Sequence, residues 1–282
     1  MGKQKFGGKW TIEKLSILTD YLNFYVTALK DKPFELLYID AFAGSGNVLI
    51  GEERQIEGSA SLALGCNIPF SKYVFVEKDN KNAQELEKMV ESKFPELKSR
   101  VQIVVGDCNE KLIDIINAAD WRKTRAVLFL DPYATAVKYE TLQKISLTQA
   151  IDVWYLFPFM AARRLMPNDV TVYDTYASWK KKLDDLFGTE DWYENFYQES
   201  NQLSLFDNVE IENNVSEETL KTYIIERLKA VFPNVAPYPR MLYNATNSPL
   251  FLFCFAVSNP DKRAYDLALK VANHILNKDF LN

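Results

Sequence analysis

Histidine and cysteine are both scarce in this chain of 282 residues, which contains one histidine and three cysteines. Cys66, Cys108 and Cys254 are far apart and include no C-x-x-C pair, so neither a disulfide framework nor a cysteine zinc site is expected. We predict no metal site and a reducing, cytoplasmic environment. His274 stands alone in an amphipathic segment, which indicates a helix surface rather than a catalytic base.

Long apolar runs and long runs of one charge are also missing. No stretch approaches the roughly 18 apolar residues that cross a bilayer. No apolar run follows the basic N-terminus, so no signal peptide is predicted. The formal net charge of −5 argues against a protein that coats nucleic acid, since phosphate binding is largely electrostatic. A local basic patch at 163–164 or 180–182 is compatible with this charge, although a solvated helix face is the simpler interpretation.

Two common nucleotide-binding motifs are absent. No G-x-x-x-x-G-K-[ST] occurs, and the glycine-bearing turn at 40–46 is not a dinucleotide fingerprint, because Leu49 stands where that motif needs a small residue. The apolar run 36–39 leads into this turn, which indicates a strand end where a ligand contacts bare backbone. A ligand without a pyrophosphate fits, so S-adenosylmethionine (SAM) is the predicted cofactor. Its predicted contacts in the turn are Ala43, Gly44, Ser45 and Gly46.

Short apolar strands alternate with amphipathic helices through the first 160 residues, which predicts a parallel sheet covered on both faces. The five predicted strands are 36–39, 73–76, 101–105, 126–130 and 152–157. Extended runs at 241–246 and 250–257 predict a C-terminal antiparallel hairpin. Helix starts are predicted at the capping residues Thr11, Ser59, Ser216 and Asn259. The fold class is therefore α/β, a Rossmann-like class I methyltransferase fold with a mostly parallel sheet.

The whole chain, residues 1–282, is predicted to be a single domain. Residues 161–215 are rich in Tyr, Trp, Lys and acids and contain no strand-like run, so we interpret them as a mainly helical insertion that caps the substrate side. Within it, residues 198–214 are the expected mobile surface segment. An aromatic cluster in this region is expected to be core rather than a base-stacking platform. Its members are Trp179, Trp192, Tyr193, Phe196 and Tyr197.

Three successive predicted strands end in an acid. Asp40 would fix the turn and reach the methionine amine of the cofactor, directly or through water. Glu77 would accept hydrogen bonds from both ribose hydroxyls. Asp107 would accept from the adenine amine, with the backbone of Cys108 adjacent. A single acid of this kind is often only a cap or turn former, but three together favour a cofactor site.

The fourth strand ends in Asp131-Pro132-Tyr133, the predicted catalytic residues. They resemble the D-P-P-Y signature of methyltransferases that modify exocyclic amines of nucleobases. Asp131 and the Pro132 carbonyl would each accept one N–H of the amine, and proline stiffens the turn. Tyr133 would stack a flipped-out base, which contributes about 1–3 kcal/mol. One proline of the signature is missing, so an Asp-Pro turn with a packed tyrosine stays open.

These motifs together resemble the three-Cys-motif partner protein (TcmP) family, which is methyltransferase-like. The resemblance covers most of the chain and includes 13–15, 38–46, 58–60, 75–79, 106–107, 128–133 and 153–158. The glycine turn followed by Gly58-Ser59-Ala60 is also similar to a bacterial 23S rRNA adenine-N6 methyltransferase. The family resemblance implies a companion protein that carries a three-cysteine motif.

Three functional hypotheses follow. The first is an enzyme that transfers a methyl group from SAM to an amino nitrogen, with adenine N6 of RNA or DNA as the leading substrate and a small molecule or protein as alternatives. The second is a SAM-binding module that serves in a complex with a partner. The third is an unrelated adenine-nucleotide binder, against which Leu49 counts.

Overall fold

The computed structural model describes residues 8–50, 54–199 and 211–278 of the chain. Its main sheet has eight strands in the order β10-β12-β7-β6-β1-β4-β5, and β11 also pairs with β12. Two separate hairpins, β2-β3 and β8-β9, accompany it. The strands are β1 (Glu35–Asp40), β2 (Asn47–Ile50), β3 (Arg54–Glu57), β4 (Lys72–Glu77), β5 (Val101–Val105), β6 (Thr124–Leu130), β7 (Ile151–Phe157), β8 (Tyr197–Glu199), β9 (Ile211–Asn213), β10 (Asn234–Val235), β11 (Arg240–Tyr243) and β12 (Pro249–Val257).

The five predicted strands are confirmed as a parallel set in the order β5-β4-β1-β6-β7. β12 is antiparallel to β7 and carries β10 and β11 on its outer side. The strand order reverses beside β1, so β1 and β6 border the point where α/β folds bind their ligands. This is the predicted Rossmann-like class I methyltransferase architecture.

Side chains alternate between the two faces of the central strands, and this alternation divides the core into two layers. In β1, Leu37 and Ile39 face one layer, whereas Leu36 and Tyr38 face the other, because successive side chains of a strand point to opposite faces. Both layers are covered by helices, so β1 is buried on both sides. A strand in this position must be apolar almost throughout, as the sequence pattern indicated.

Eleven α-helices are present in the described residues. α4, α5 and α8 to α10 contribute to the layer that includes Leu37, and α1, α2, α3 and α11 contribute to the layer that includes Tyr38. The helices are α1 (Lys9–Leu29), α2 (Ser59–Leu64), α3 (Asn80–Lys93), α4 (Cys108–Ala118), α5 (Tyr139–Ser146), α6 (Phe159–Arg164), α7 (Val172–Thr175), α8 (Ala177–Phe187), α9 (Trp192–Phe196), α10 (Glu217–Lys229) and α11 (Lys262–Leu276).

One predicted cap is confirmed and three are wrong. Ser216 caps α10 in a capping box with Thr219. Thr11 lies inside α1, whose cap is Gly8, and its amide donates to the Gly8 carbonyl at 3.0 Å. Gly58 caps α2, because the Ser59 side chain hydrogen-bonds to a strand-end acid instead.

The cap of the last helix is also shifted. Asp261, not Asn259, caps α11, and its carboxylate accepts from the amides of Arg263 and Ala264 at 3.0 and 3.2 Å. Asn259 forms the preceding turn by accepting from the Asp261 amide at 2.9 Å. Two acceptors in succession compete for this helix start, and the later one is used.

The region 161–215 differs in one respect from its prediction. α7 to α9 are helical as expected, but β8 and β9 pair in an antiparallel hairpin that the sequence reading missed. The aromatic cluster is core as predicted, with Trp192 and Phe196 almost fully buried. Most of the expected mobile segment, 200–210, lies outside the described residues. The short strand β10 was also missed, because two residues show no periodicity.

Among residues 8–50, 54–199 and 211–278, no helix combines the length and the apolar character needed to cross a membrane.

Candidate cofactor and active site

Four acids lie at one edge of the sheet, where neighbouring parallel strands end. Asp40 and Glu77 are the last residues of β1 and β4, Asp107 follows β5 by two residues, and Asp131 follows β6 directly. Neighbouring strands are about 4.8 Å apart, so the ends of four adjacent strands span about 14 Å. The structure thus brings the predicted site acids to a single rim.

The turn after β1 places two glycines in the left-handed backbone region, which glycine alone adopts without strain. Gly44 has φ of +60°, and a Cβ added there would meet no atom within 4 Å. Gly46 has φ of +79°, and a Cβ there would lie 2.6 Å from Met89 and 2.9 Å from Leu86. Gly46 therefore permits packing against α3, whereas Gly44 leaves open space for a ligand.

Asp40 is completely buried and holds the turn together. Its Oδ1 accepts from the Phe42 amide at 3.1 Å, and its Oδ2 lies 3.4 Å from the Tyr38 hydroxyl. Burial raises the pKa of Asp40 to about 6, opposed by hydrogen bonds from Ser59 and Phe42. This placement supports the predicted turn-fixing role more directly than contact with an amine.

Glu77 connects β4 to the glycine turn. One carboxylate oxygen accepts from the Gly44 amide and the other from the Asp79 amide, each at 2.8 Å. The side chain is only 7% exposed. A carboxylate has about four lone-pair sites, so two backbone bonds leave capacity for a diol. Because the carboxylate is held beside open space at Gly44, it suits the predicted ribose contact.

Asp107 caps α4 and begins a hydrogen-bond chain to the loop after β6. Its Oδ1 accepts from the backbone and side-chain amides of Asn109 at 3.0 and 3.1 Å, while Lys78 lies 3.9 Å from Oδ2. Cys108, the first residue of α4, is buried, and its Sγ lies 3.9 Å from the carbonyl of Ala136. Burial raises the pKa of the Cys108 thiol to about 12, which leaves it a neutral packing group.

Asn109, next to Cys108 at the start of α4, was not predicted from the sequence to belong to the candidate site. Its Nδ2 donates to the Ala136 carbonyl at 2.9 Å, and its Oδ1 accepts from the Lys138 amide and the Thr141 hydroxyl at 2.9 and 2.8 Å. Asn109 is buried. It therefore ties the predicted adenine-binding end of α4 to the segment that follows Asp131-Pro132-Tyr133. No sequence spacing marks these partners, which are more than 25 residues away.

Asp131 forms an ion pair with Lys14 of α1. The Lys14 side chain is 8% exposed and that of Asp131 is 24% exposed, so the pair is largely shielded from water. The Lys14 ammonium also lies 5.1 Å from the Trp10 ring centroid. Lys14 belongs to the segment 13–15 of the family resemblance. The residues next to it in the sequence do not identify it as a partner of Asp131.

The three catalytic candidates differ sharply in exposure. Pro132 is buried, whereas the Tyr133 side chain is 69% exposed. Partial desolvation, followed by the charges of Glu77 and Asp131, raises the pKa of the Tyr133 phenol. Ala134 adopts φ of +49°, a strained conformation for a residue with a side chain. The loop is thus a sharp turn that presents Tyr133 to solvent.

A cleft of about 430 Å³ lies at the same edge, between the end of β7 and the start of β12. Phe159, Met160 and Pro249 form apolar walls, and Arg163 and Arg164 contribute cations. Arg163 is fixed by donation to the Met166 carbonyl at 2.6 Å. Of the two candidate basic patches, 163–164 therefore lies beside the strand ends rather than on a distant helix face.

The rim brings together residues that were predicted to contact SAM. Gly44 provides open backbone, Glu77 provides a buried carboxylate, and Asp107 provides a partly exposed carboxylate at the next strand. Among the described residues, no group of three His, Cys, Asp or Glu side chains could hold a metal ion. An organic cation with hydroxyl and amine donors is the ligand that this acid-rich rim fits.

Comparisons with known proteins give only distant similarities. No family model and no curated protein matches the chain. Among solved structures, yhhF of Escherichia coli, described as a methyltransferase, is 15% identical over 50% of this chain and 69% of its own, with a TM-score of 0.32. A protein described as a SAM-dependent methyltransferase from Listeria monocytogenes is 10% identical over 84% of this chain and 97% of its own, with a TM-score of 0.39.

Spermidine synthase from Thermotoga maritima is similarly distant. It is 12% identical over 96% of this chain and 66% of its own, with a TM-score of 0.39. Likenesses of this degree do not assign a reaction or a substrate, so function must be argued from the residues of the site.

Proposed function

We propose that the chain is a SAM-dependent methyltransferase that acts on an amino nitrogen, with adenine N6 of RNA or DNA as the substrate. The observation that carries the proposal is the carboxyl edge of the sheet. There an open glycine turn, three strand-end acids and an Asp-Pro-Tyr loop follow four adjacent strands. Ligands of open α/β sheets bind outside this edge, where the strand order reverses.

The chain's residues divide between the two ligands. Glu77 would accept from the ribose hydroxyls, and Asp107 from the adenine amine, with Cys108 packed behind it. The backbone of 43–46 would contact the methionine end, with Asp40 holding that turn in shape. Asp131, the Pro132 carbonyl and Tyr133 would bind the acceptor.

Bound SAM supplies an electrophilic methyl group on a sulfonium. Asp131 and the Pro132 carbonyl would each accept one N–H of the amine, which directs the nitrogen lone pair at that methyl. A methyl group supplied by SAM would thus be transferred to the amine nitrogen, with a neutral thioether as the leaving group. Lys14 pairs with Asp131, and the surplus proton of the methylated amine would leave to water. Alignment of the two reactants then contributes most of the rate enhancement.

A nucleic-acid substrate is supported by the exposed Tyr133 and by the cleft beside Arg163 and Arg164. An exposed aromatic ring at the site can stack an extruded base. Two arginines nearby can pair with phosphates. The net charge of −5 opposes tight binding of a long polyanion. A companion protein with a three-cysteine motif, delivering the nucleic acid, would reconcile these observations.

The experiment has two stages. Calorimetric titration with SAM, S-adenosylhomocysteine and NAD should show binding of the first two and not of NAD. Transfer of a labelled methyl group onto RNA and DNA pools, followed by nucleoside analysis, should then yield N6-methyladenosine. Binding of NAD without SAM would contradict the cofactor, and label on another nucleoside or on protein would contradict the substrate.

A second candidate function is a SAM-binding subunit that depends on a partner for activity. Two observations favour it: one proline of the D-P-P-Y signature is missing, and the Asp131 charge is already neutralised by Lys14. Under this candidate the purified chain binds SAM but transfers no methyl group to any pool. Transfer by the chain alone would eliminate it.

A further inference from the structure

A second cleft, of about 540 Å³, opens at the opposite edge of the sheet. It lies where β6 and β7 begin, between the C-terminal half of α1 and the start of α11. Arg125 in this cleft and Asp131 in the candidate active site are six residues apart along an extended strand, which corresponds to about 20 Å. The cleft is therefore separate from the site described above.

Two carboxyl groups line the cleft, and that of Asp152 belongs to the less exposed residue. Its Oδ2 accepts from the Tyr21 hydroxyl at 2.6 Å, whereas among the described residues Oδ1 receives no hydrogen bond. Burial raises the pKa of Asp152 to about 7, against the opposing effects of Tyr21 and Arg125. The Asp152 residue is partly exposed and lines the cleft, so a ligand can reach Oδ1. The group is thus ready to accept an N–H or O–H from a ligand.

The walls of the cleft are mainly apolar, and four of the lining residues are aromatic. Tyr21, Phe24, Tyr25 and Phe34 line it, and Leu267 adds an apolar side chain that is 49% exposed. The Tyr21 ring is packed edge-on against Trp154 at 5.1 Å between centroids, which fixes its position. Pockets of 300–1,000 Å³ with aromatic walls and few polar groups are typical of small-molecule sites. A flat ring is the shape that these walls favour.

The rim of the cleft is cationic. Lys32 and Arg263 are exposed, and the Arg125 guanidinium lies 4.1 Å from the Phe34 centroid while donating to the carbonyls of Trp121 and Thr124 at 2.8 Å. Asp261, the one acid at the rim, is already engaged as the cap of α11. Three cations and two acids line the cleft, so it favours an anionic ligand over a cationic one.

We propose that this cleft binds a small aromatic anion whose ring carries an N–H group. The ring packs among the aromatic walls, its N–H donates to Oδ1 of Asp152, and its anionic group lies at the rim with Lys32 and Arg263. Purine nucleotides and indole carboxylates share this chemistry. The assignment is independent of the proposed methyl transfer, because it uses other residues at another edge of the sheet.

Calorimetry with two matched pairs of probes tests the proposal on the full chain. Indole-3-acetate and naphthalene-1-acetate differ in the ring N–H, and we expect the naphthalene compound to bind at least about tenfold more weakly. GMP and guanosine differ in the phosphate, and guanosine should bind at least about fivefold more weakly. Whichever of GMP and indole-3-acetate binds more tightly identifies the class of ligand, a purine nucleotide or an indole carboxylate. Absence of binding by both at millimolar concentration, or equal binding within either pair, overturns the proposal.

Variants locate the site. Lys32→Ala with Arg263→Ala, both at exposed positions, should weaken the binding of GMP or indole-3-acetate about fivefold. Lys88→Ala, an exposed lysine of α3 outside the cleft, is the matched control and should change nothing. Saturating S-adenosylhomocysteine should not compete. Competition, or equal weakening by the control, would place the probes elsewhere and refute the assignment.

Discussion

The ion pair between Lys14 and Asp131 allows structural and catalytic roles to be separated by a double-mutant cycle. Removing one partner of a fully buried pair costs about 3–5 kcal/mol, because the other charge stays unpaired. This pair is largely but not fully shielded, so smaller values apply. Lys14 is 8% exposed and Asp131 is 24% exposed, so an unpaired Lys14 should be the more costly of the two.

We therefore expect Asp131→Asn to lower the free energy of unfolding by about 2–3 kcal/mol and Lys14→Met by about 1–2 kcal/mol. The double variant should lie within about 1 kcal/mol of the native chain, because two neutral groups of similar size replace the pair. Urea unfolding at pH 7 measures all four proteins. Additive losses in the double variant would refute the interpretation of a shielded, coupled pair.

The same proteins test catalysis. The double variant should be folded and should bind SAM with nearly native affinity, yet transfer methyl groups much more slowly, because the neutral Asn amide oxygen is a weaker acceptor for the amine than a carboxylate. Glu91 and Lys98, an exposed pair with 2.6 Å between Oε1 and Nζ, provide the control. Glu91→Gln with Lys98→Met should show almost no coupling and full transfer. A native rate of methyl transfer by the Lys14→Met/Asp131→Asn protein would remove the Asp131 carboxylate from the reaction.

Three further predictions follow from single positions. Asp152 titrates near pH 7 in the folded chain and near 3.8 when unfolded, so folding retains its proton and stability falls as pH rises from about 4 to 7. Asp152→Asn should remove up to about 4 kcal/mol of this loss, as measured by urea unfolding across pH. Asp40 contributes equally to the native chain and to the variant. Identical pH profiles of the two proteins would contradict the raised pKa of Asp152. Gly46→Ala should lower the free energy of unfolding by about 2–3 kcal/mol, through backbone strain and contact with α3. Gly44→Ala should lower it by only about 1 kcal/mol and should instead weaken SAM binding in calorimetry. A larger loss of stability in Gly44→Ala than in Gly46→Ala would contradict the open turn. Asn109→Ala should lower the melting temperature and reduce methyl transfer, because the variant loses the hydrogen bonds that hold the segment after Tyr133. An unchanged transfer rate would show that these hydrogen bonds are dispensable.

Much of the fold depends on short-range sequence patterns and could therefore be predicted from the sequence. The strands of the parallel set are apolar runs because both faces are buried, and the acids at their ends follow within one or two residues. Ser216 could be recognised as a cap because its partner is three residues away. The prediction for Thr11 was wrong because α1 already begins at Lys9, and the prediction for Asn259 was wrong because Asp261 caps α11 instead. The predicted roles of the rim residues remain predictions.

Tertiary structure alone decided which distant residues meet. Lys14 reaches Asp131 across 117 residues, and Tyr21 reaches Asp152 across 131, only because α1 runs antiparallel to the strands along the whole depth of the sheet. The same helix thus contributes to the site at one edge and to the cleft at the other. Spacing along the chain cannot encode such pairs, since they depend on how a helix is placed over the sheet. The local pattern determined the strand ends, and packing determined their partners.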